Sequence, residues 1–322
     1  MALKVMSYLE AGKAALAAEM RDDASVWALG EDLGRGGVFG QYRGLVDEFG
    51  PARIVDTPIS EATIMGAAVG AALLGTRPVV EMRFADFALC AVDELVNQAA
   101  KARYMFGGQG RVPLVARQPI GMWRSSAAQH SQSLESWYAH IPGLVVVCPF
   151  TPADNYGLLR AAIRCDDPVV YMEHKDLWAM TGEVDEAADL PLGKARLVRE
   201  GSDVTLVAWS GVLRAVEAAL PLLQDGPSVE VIDLRTIYPW DRDMVLDSVR
   251  RTGRLLVVHE AVATGGFGAE IAATVAEALF GNLKAPVRRL GAPRIPIPYS
   301  PPLEEACKIS PAQIAETVHG ML

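Results

Sequence analysis

The sequence predicts an α/β protein made of two doubly wound domains. Three features predict it: short unbroken Val/Ile/Leu runs recur along the chain, helical segments separate them, and the pattern breaks after residue 180. Unbroken apolar runs between helices mark parallel strands covered on both faces, because a strand with one wet face would alternate polar and apolar residues. With 322 residues, 51% of them hydrophobic and 21% charged, the chain has enough apolar side chain for two cores of ordinary size. A net charge of −9 argues against a basic nucleic-acid face. No run approaches the roughly 18 uninterrupted apolar residues of a membrane span. Met1-Ala2-Leu3-Lys4 lacks the basic-then-apolar pattern of an export signal. Cys90, Cys148, Cys165 and Cys307 are scattered, with no CxxC pair for zinc, and a reducing cytoplasm fits them.

In chain order, residues 5–21 carry apolar side chains at helical spacing and read as an amphipathic helix. Val26-Trp27-Ala28-Leu29 reads as a buried strand. The acidic, glycine-rich loop Glu31-Asp32-Leu33-Gly34-Arg35-Gly36-Gly37 follows it. This is not a phosphate loop: GxxxxGK[ST] is absent and two carboxylates would repel a diphosphate. Arg53-Ile54-Val55 is the next strand. The turn Asp56-Thr57-Pro58-Ile59-Ser60-Glu61 leads from it into a small-residue helix over 62–74. Ser60 is the expected cap, and Glu61 stands where unpaired amides and the helix dipole favour a carboxylate. Strands at 78–82, 113–116, 144–148 and 169–172 alternate with helices at 88–104 and 152–164, and a long loop fills 118–132. These elements make a first domain over 1–180. Residues 181–200, with an acidic, proline-bearing and aperiodic start, read as a linker. The second domain, 201–322, repeats the alternation: strands at 204–208, 229–232, 255–258 and 287–290, and helices at 213–223, 241–251, 267–279 and 311–322, the last after a proline-rich bend.

Ligands of open α/β sheets bind beyond the C-terminal ends of the strands. Four places meet that condition: the Glu31 loop, the Ser60-Glu61 turn, Arg83-Phe84-Ala85-Asp86-Phe87, and the 118–132 loop with Trp123, Arg124 and His130. Each has an ordinary explanation. Glu61 decorates a helix start, the phenylalanines fill core, and a loop histidine is more often hydrogen-bonded structure than catalyst. Phe84 and Phe87 around Asp86 also suit a flat wall for a ring, and a loop of that length inside a domain is commonly functional. No GxGxxG, GxSxG or HExxH pattern is present. Pocket-lining features without a phosphate anchor point to half of a shared site.

Six motifs then stand in one register: Glu31-Asp32 before the glycine-rich loop, Asp56 to Glu61, Phe84-Ala85-Asp86-Phe87, Asn97-Gln98-Ala99-Ala100-Lys101, Tyr104 to Gly108, and Gln129-His130-Ser131-Gln132. In this order and spacing the chain, over essentially its whole length, resembles the beta subunits of the thiamine-diphosphate-dependent first component of 2-oxo acid dehydrogenase complexes, members of the transketolase-like superfamily. Tyr104-Met105-Phe106-Gly107-Gly108 and Met180-Thr181-Gly182-Glu183-Val184 are most similar to the acetoin type, and Ala127-Ala128-Gln129-His130-Ser131-Gln132 is shared with the pyruvate type.

The resemblance implies a pyrimidine-binding domain followed by a transketolase C-terminal-like domain. It also implies an alpha subunit that completes an alpha2beta2 heterotetramer and binds the diphosphate and magnesium. The Gly-Asp-Gly…Asn metal pattern is not in this chain. Glu61 matches the residue whose carboxyl bonds pyrimidine N1′ and favours the imino tautomer, so that the 4′-nitrogen takes the proton from thiazolium C2. The cofactor then serves as electron sink. Phe84 and Phe87 match aromatic residues against the pyrimidine, and Glu31, Ile59, Ser60 and Arg83 line the same region. His130 matches a histidine near the substrate, where an imidazole titrating near neutrality suits proton traffic. Backbone carbonyls at Leu114, Ala162, Cys165 and Asp167 match a potassium site, with Cys165 in place of the usual aspartate. Arg83 replaces a common neutral residue, and Gly121-Met122-Trp123-Arg124-Ser125-Ser126 departs from the usual glycine-rich loop. The implied reaction is decarboxylation of a small 2-oxo acid such as pyruvate, or cleavage of acetoin, with acyl transfer to a lipoyl acyltransferase. Two alternatives remain at the level of sequence: a two-subunit transketolase for sugar phosphates, and a non-catalytic scaffold docking an acyltransferase core.

Overall fold

A computed structural model describes residues 3–322, which form two compact units. One takes the chain up to Ile120 together with Trp137–Leu192; the other takes Gly121–Ser136 together with Gly193–Leu322. Among the described residues no helix is long and apolar enough to cross a membrane.

In the first unit the strands are β1 (Lys4–Ser7), β2 (Val26–Gly30), β3 (Ile54–Asp56), β4 (Arg77–Glu81), β5 (Val115–Ile120), β6 (Val145–Val147), β7 (Val169–His174) and β8 (Thr181–Val184). The main sheet runs β6-β7-β5-β4-β2-β3 with every neighbouring pair parallel. The helices are α1 (Tyr8–Asp22), α2 (Leu45–Phe49), α3 (Glu61–Leu73), α4 (Ala85–Ala88), α5 (Ala100–Met105), the short α6 (Glu135–Ala139) and α7 (Pro152–Arg164). Two of them start on capping boxes, Ser7 with Glu10 and Thr151 with Asp154. The Arg53 guanidinium donates to the carbonyls of Met20 (2.7 Å), Asp23 (2.9 Å) and Val26 (2.6 Å), placing a cation at the C-terminal end of α1.

Several expectations change. The helix expected from residue 5 begins at Tyr8; Lys4–Ser7 is instead an edge strand paired antiparallel with Thr181–Val184. The stretch 181–200, expected as a linker, therefore contains strand, and a second strand lies at Arg196–Arg199. The helix expected over 88–104 is broken into α4, a 3₁₀ turn, a π-helical stretch at Glu94–Ala99 and α5. The strand expected at 113–116 runs from Val115 to Ile120, so the long loop starts at Gly121.

That extension has a physical cause: Arg117 and Gln118 are as buried as the apolar strand residues around them. The Arg117 guanidinium lies 2.7 Å from a Glu173 carboxylate oxygen, 3.6 Å from Glu81, and donates to the Tyr42 hydroxyl at 3.1 Å. Tyr42 donates to Glu81 at 2.9 Å, and Asn155 donates to Glu173 at 3.0 Å. Burial alone would lower the guanidinium's pKa, but the charges of Glu173, Tyr42 and Glu81 outweigh it and hold it well above its ordinary value. Burial pushes Glu81 up from an ordinary 4.5 to about 7, against the lowering pull of Arg117. A carboxyl raised on folding binds a proton that the unfolded chain releases, so stability falls as pH rises from about 4.5 to about 7 and levels off above. For Glu81→Gln, denaturant unfolding should give a variant-minus-wild-type stability difference that grows by about 3 kcal/mol across that window. A flat difference would show that Glu81 does not titrate there.

In the second unit the strands are β9 (Arg196–Arg199), β10 (Val204–Ala208), β11 (Val229–Asp233), β12 (Thr236–Tyr238), β13 (Leu255–Val262) and β14 (Arg288–Ala292). Its sheet runs β14-β13-β10-β11-β9, parallel except for the antiparallel edge β9. The helices are α8 (Leu213–Ala219), α9 (Arg242–Thr252), α10 (Gly268–Ala278), α11 (Pro301–Cys307) and α12 (Pro311–His319). α9 buries Val245, Ser248, Val249 and Thr252 at helical spacing; Asp241 caps its start and Gly253, at φ 74°, ends it in the left-handed region. Of the four cysteines, Cys148 in the first unit and Cys307 in the second are buried.

Candidate active site

The parallel order β4-β2-β3 puts three of the four candidate loops side by side at one sheet edge in the first unit. The turn after β3 and the loop after β2 are bonded together: Gly34 N–H donates to Asp56 Oδ1 at 2.7 Å, and Thr57 N–H donates to the Gly30 carbonyl at 3.0 Å. A Cβ at position 34 would stand 2.6 Å from the other Asp56 carboxylate oxygen, so a larger residue there would have to displace that carboxylate.

Glu61 is the first residue of α3 and is half-buried. Its carboxylate has no hydrogen bond or ion pair among the described residues. Ser60 occupies the cap position but does not cap: its hydroxyl donates to Thr63 Oγ1 at 2.8 Å, and no side-chain bond reaches the first-turn amides. Ile59, beside them, is 75% exposed, an apolar side chain left in the open next to a carboxylate.

The loop after β4 carries Arg83, Phe84 and Phe87. Phe84 and Phe87 meet edge to face with centroids 5.4 Å apart. Phe39, from the glycine-rich loop, packs against Phe84 at 5.9 Å and against Trp178 at 4.4 Å, and the buried Lys175 places its ammonium 4.8 Å from the Phe84 centroid. Arg83 reaches Glu31 at 3.3 Å and Asp32 at 3.4 Å. Of these three, Glu31 is the most deeply buried, at 7% exposure. Arg83, expected to line the cofactor, is therefore engaged by two carboxylates of this chain, and they offset the charge it would offer an anionic ligand.

Sequence reasoning missed Phe39, Trp178 and Lys175. Lys175 directly follows β7, so the strand-end rule would have found it had β7 been included.

His130 lies in the Gly121–Ser136 segment, which belongs to the second unit. It is half-buried, and its backbone N–H donates to the Ala127 carbonyl at 3.3 Å. Arg124, Ser125 and Ala127 have φ of 48°, 57° and 63°, a left-handed backbone unusual for residues with a Cβ. The Arg124 guanidinium lies 4.9 Å from the Trp123 ring centroid.

Three of the four carbonyls expected to hold potassium accept hydrogen bonds from protein donors. The Leu114 carbonyl accepts from Val169 N–H (2.8 Å), and that of Ala162 from Cys165 N–H (3.2 Å). The Cys165 carbonyl accepts from the Arg77 guanidinium at 3.0 Å, and the Asp167 carboxylate pairs with Arg103 at 2.5 Å. Arg77 also donates to the Ile163 carbonyl at 3.1 Å, so one guanidinium of this chain bridges two carbonyls at the end of α7. Among the described residues no cluster of three or more His, Cys, Asp or Glu suits a metal.

Residues 4–180 match the transketolase pyrimidine-binding domain and residues 193–314 the transketolase C-terminal domain. The chain is 47% identical to the beta subunit of acetoin:2,6-dichlorophenolindophenol oxidoreductase of Cupriavidus necator, over 92% of this chain and 91% of that one. It is 42% identical to the 2-oxoisovalerate dehydrogenase beta subunit of Bacillus subtilis over 97% of each. With the pyruvate dehydrogenase E1 beta subunit of Rhizobium meliloti it shares 43% identity over 99% of this chain and 70% of that one. A split-gene transketolase solved as an inactive beta4 tetramer superposes with a TM-score of 0.81 over 98% of both chains at 23% identity, a likeness of fold alone. Two matched domains in tandem and this level of identity along nearly the whole chain establish that it belongs to the transketolase-like family of acetoin and 2-oxo acid dehydrogenase beta subunits.

Proposed function

We propose that this chain supplies the pyrimidine half of a thiamine-diphosphate site and works with an alpha subunit, in an alpha2beta2 assembly, that brings the diphosphate and magnesium contacts. The observation that carries the reading is Glu61: a half-buried carboxylate at a helix mouth, unpartnered among the described residues, at the same sheet edge as the Phe84 cluster. Such a carboxylate fits the ring nitrogen of an aminopyrimidine, and the exposed Ile59 and the edge-packed phenylalanines fit its flat faces. Bound there, thiamine diphosphate would supply an acidic thiazolium carbon and an electron sink. Glu61 would hold the proton at the pyrimidine nitrogen, and the aromatic side chains would orient the ring and exclude water.

The reaction we assign is decarboxylation of a small 2-oxo acid or cleavage of acetoin, with the acyl group passed to a lipoyl acyltransferase, in the cytoplasm. His130 is assigned proton handling during that transfer. In the reconstituted pair, His130→Ala should cut kcat with a lipoyl acceptor about 10²-fold, the size of one acid–base contribution, with little change in cofactor affinity. Unchanged acyl transfer would remove His130 from the reaction. The substrate is tested by steady-state kinetics of the reconstituted pair on acetoin, pyruvate and branched-chain 2-oxo acids. Turnover of none of them, with sugar phosphates accepted, would replace this reading by the transketolase one.

A further inference from the structure

The segment that carries His130 is fastened at both ends by the ends of two neighbouring strands of its own unit, β10 and β13. At its start, Met122 N–H donates to Glu260 Oε1 at 2.7 Å, and the Met122 side chain packs with Ala292, Cys307 and Ile297. At its finish, Ser136 donates to the Gly265 carbonyl at 2.5 Å, and the indole N–H of Trp209 donates to the buried Glu135 at 3.1 Å. Glu260 lies in β13 and Gly265 in the turn that follows it. Trp209 is fixed in turn: its ring stacks on His259 with centroids 5.3 Å apart and an interplanar angle of 22°. His259 is fully buried, and its Nδ1 bonds the Ala261 carbonyl at 3.0 Å. Gly266, Gly268 and Gly291 pack so closely that a Cβ on any of them would come within 3 Å of the imidazole. Burial lowers the His259 pKa to about 4, so the ring stays neutral and donates that hydrogen bond throughout the physiological range.

Between these fastenings the segment holds three non-glycine residues in the left-handed region, a backbone that persists only where its surroundings impose it. We infer that Glu260 and Trp209 are positioning residues: through Met122 and Glu135 they hold the strained segment in the one conformation that presents His130. This rests on the role proposed for His130. The chemistry asks for such a device, because a displacement of about 1 Å at a catalytic group can cost on the order of 10²-fold in rate.

Two measurements separate the fastening from the role of His130. The first is amide hydrogen exchange over 123–130 in the full chain. Glu260→Ala and Trp209→Phe should each speed exchange there about tenfold or more. Glu260→Gln, which keeps an acceptor for Met122 N–H, should stay near wild type. The second is kcat of the pair reconstituted with its alpha subunit. Glu260→Ala should lose about tenfold with KM little changed, Glu260→Gln should recover most of that loss, and adding Glu260→Ala to His130→Ala should cost nothing further. Unchanged exchange in Glu260→Ala overturns the fastening. Faster exchange with losses that multiply in the double variant overturns action through His130. Faster exchange with a fully active His130→Ala overturns the catalytic role of His130, and with it the positioning claim.

Discussion

Replacing Glu61 by Gln should lower kcat of the reconstituted enzyme by about 10²- to 10⁴-fold, the range of a general acid–base contribution. The substitution keeps size and hydrogen-bonding reach and removes only the proton that can be taken and returned. Cofactor affinity should change far less, because the diphosphate and magnesium contacts are assigned to the other subunit. The site around Glu61 supports so large an effect. α3 starts at Glu61, Ser60 spends its hydroxyl on Thr63, and no side chain among the described residues claims the carboxylate. A kcat within a few-fold of wild type would remove Glu61 from the proton path.

The largest effect on stability should come from Arg117→Met. Arg117 is the cation between Glu81 and Glu173, with all three side chains 2–3% exposed. Removing one partner of a buried ion group leaves uncompensated charge in a medium that solvates it poorly, a loss of about 3–5 kcal/mol. The sign of the pH dependence follows from Glu81. Without the guanidinium its carboxyl holds a proton more tightly, so the penalty should be larger at pH 8 than at pH 5.5. Denaturant unfolding of the chain at both values measures this. A loss below about 1 kcal/mol, equal at both pH values, would mean that the guanidinium does not neutralise the pair.

The same triad marks where sequence reading stopped short. Val204–Ala208 and Pro152–Arg164 stand where periodicity and capping put them, because unbroken apolar runs and N-terminal prolines report directly on burial and helix start. Val115–Ile120 was visible only in its first two residues. Arg117 and Gln118 are polar letters in a buried strand, and their partners Tyr42, Glu173 and Tyr138 are between 20 and 75 residues away. The pairing of Lys4–Ser7 with Thr181–Val184 was hidden for the same reason: four-residue edge strands with exposed positions carry no apolar run.

At the candidate site, Glu61, Phe84 and Phe87 were legible because strand-end loops are where α/β sheets put ligands. That Arg83 spends its charge on Glu31 and Asp32, and Arg77 its charge on the Cys165 carbonyl, is set by contacts 51 to 88 residues apart in the chain and could not be read from either neighbourhood alone. Nor could the affiliation of the His130 segment with the second unit, which rests on Glu260, Gly265 and Trp209.

The most direct measurement of the central claim, that Glu61 governs proton movement on the cofactor, is hydrogen–deuterium exchange at thiazolium C2 of thiamine diphosphate bound to the reconstituted pair. Wild type should exchange fast, and Glu61→Gln should exchange about 10²-fold or more slowly with the cofactor equally saturating. Equal exchange rates in the two proteins would contradict the account, whatever the overall turnover of the variant.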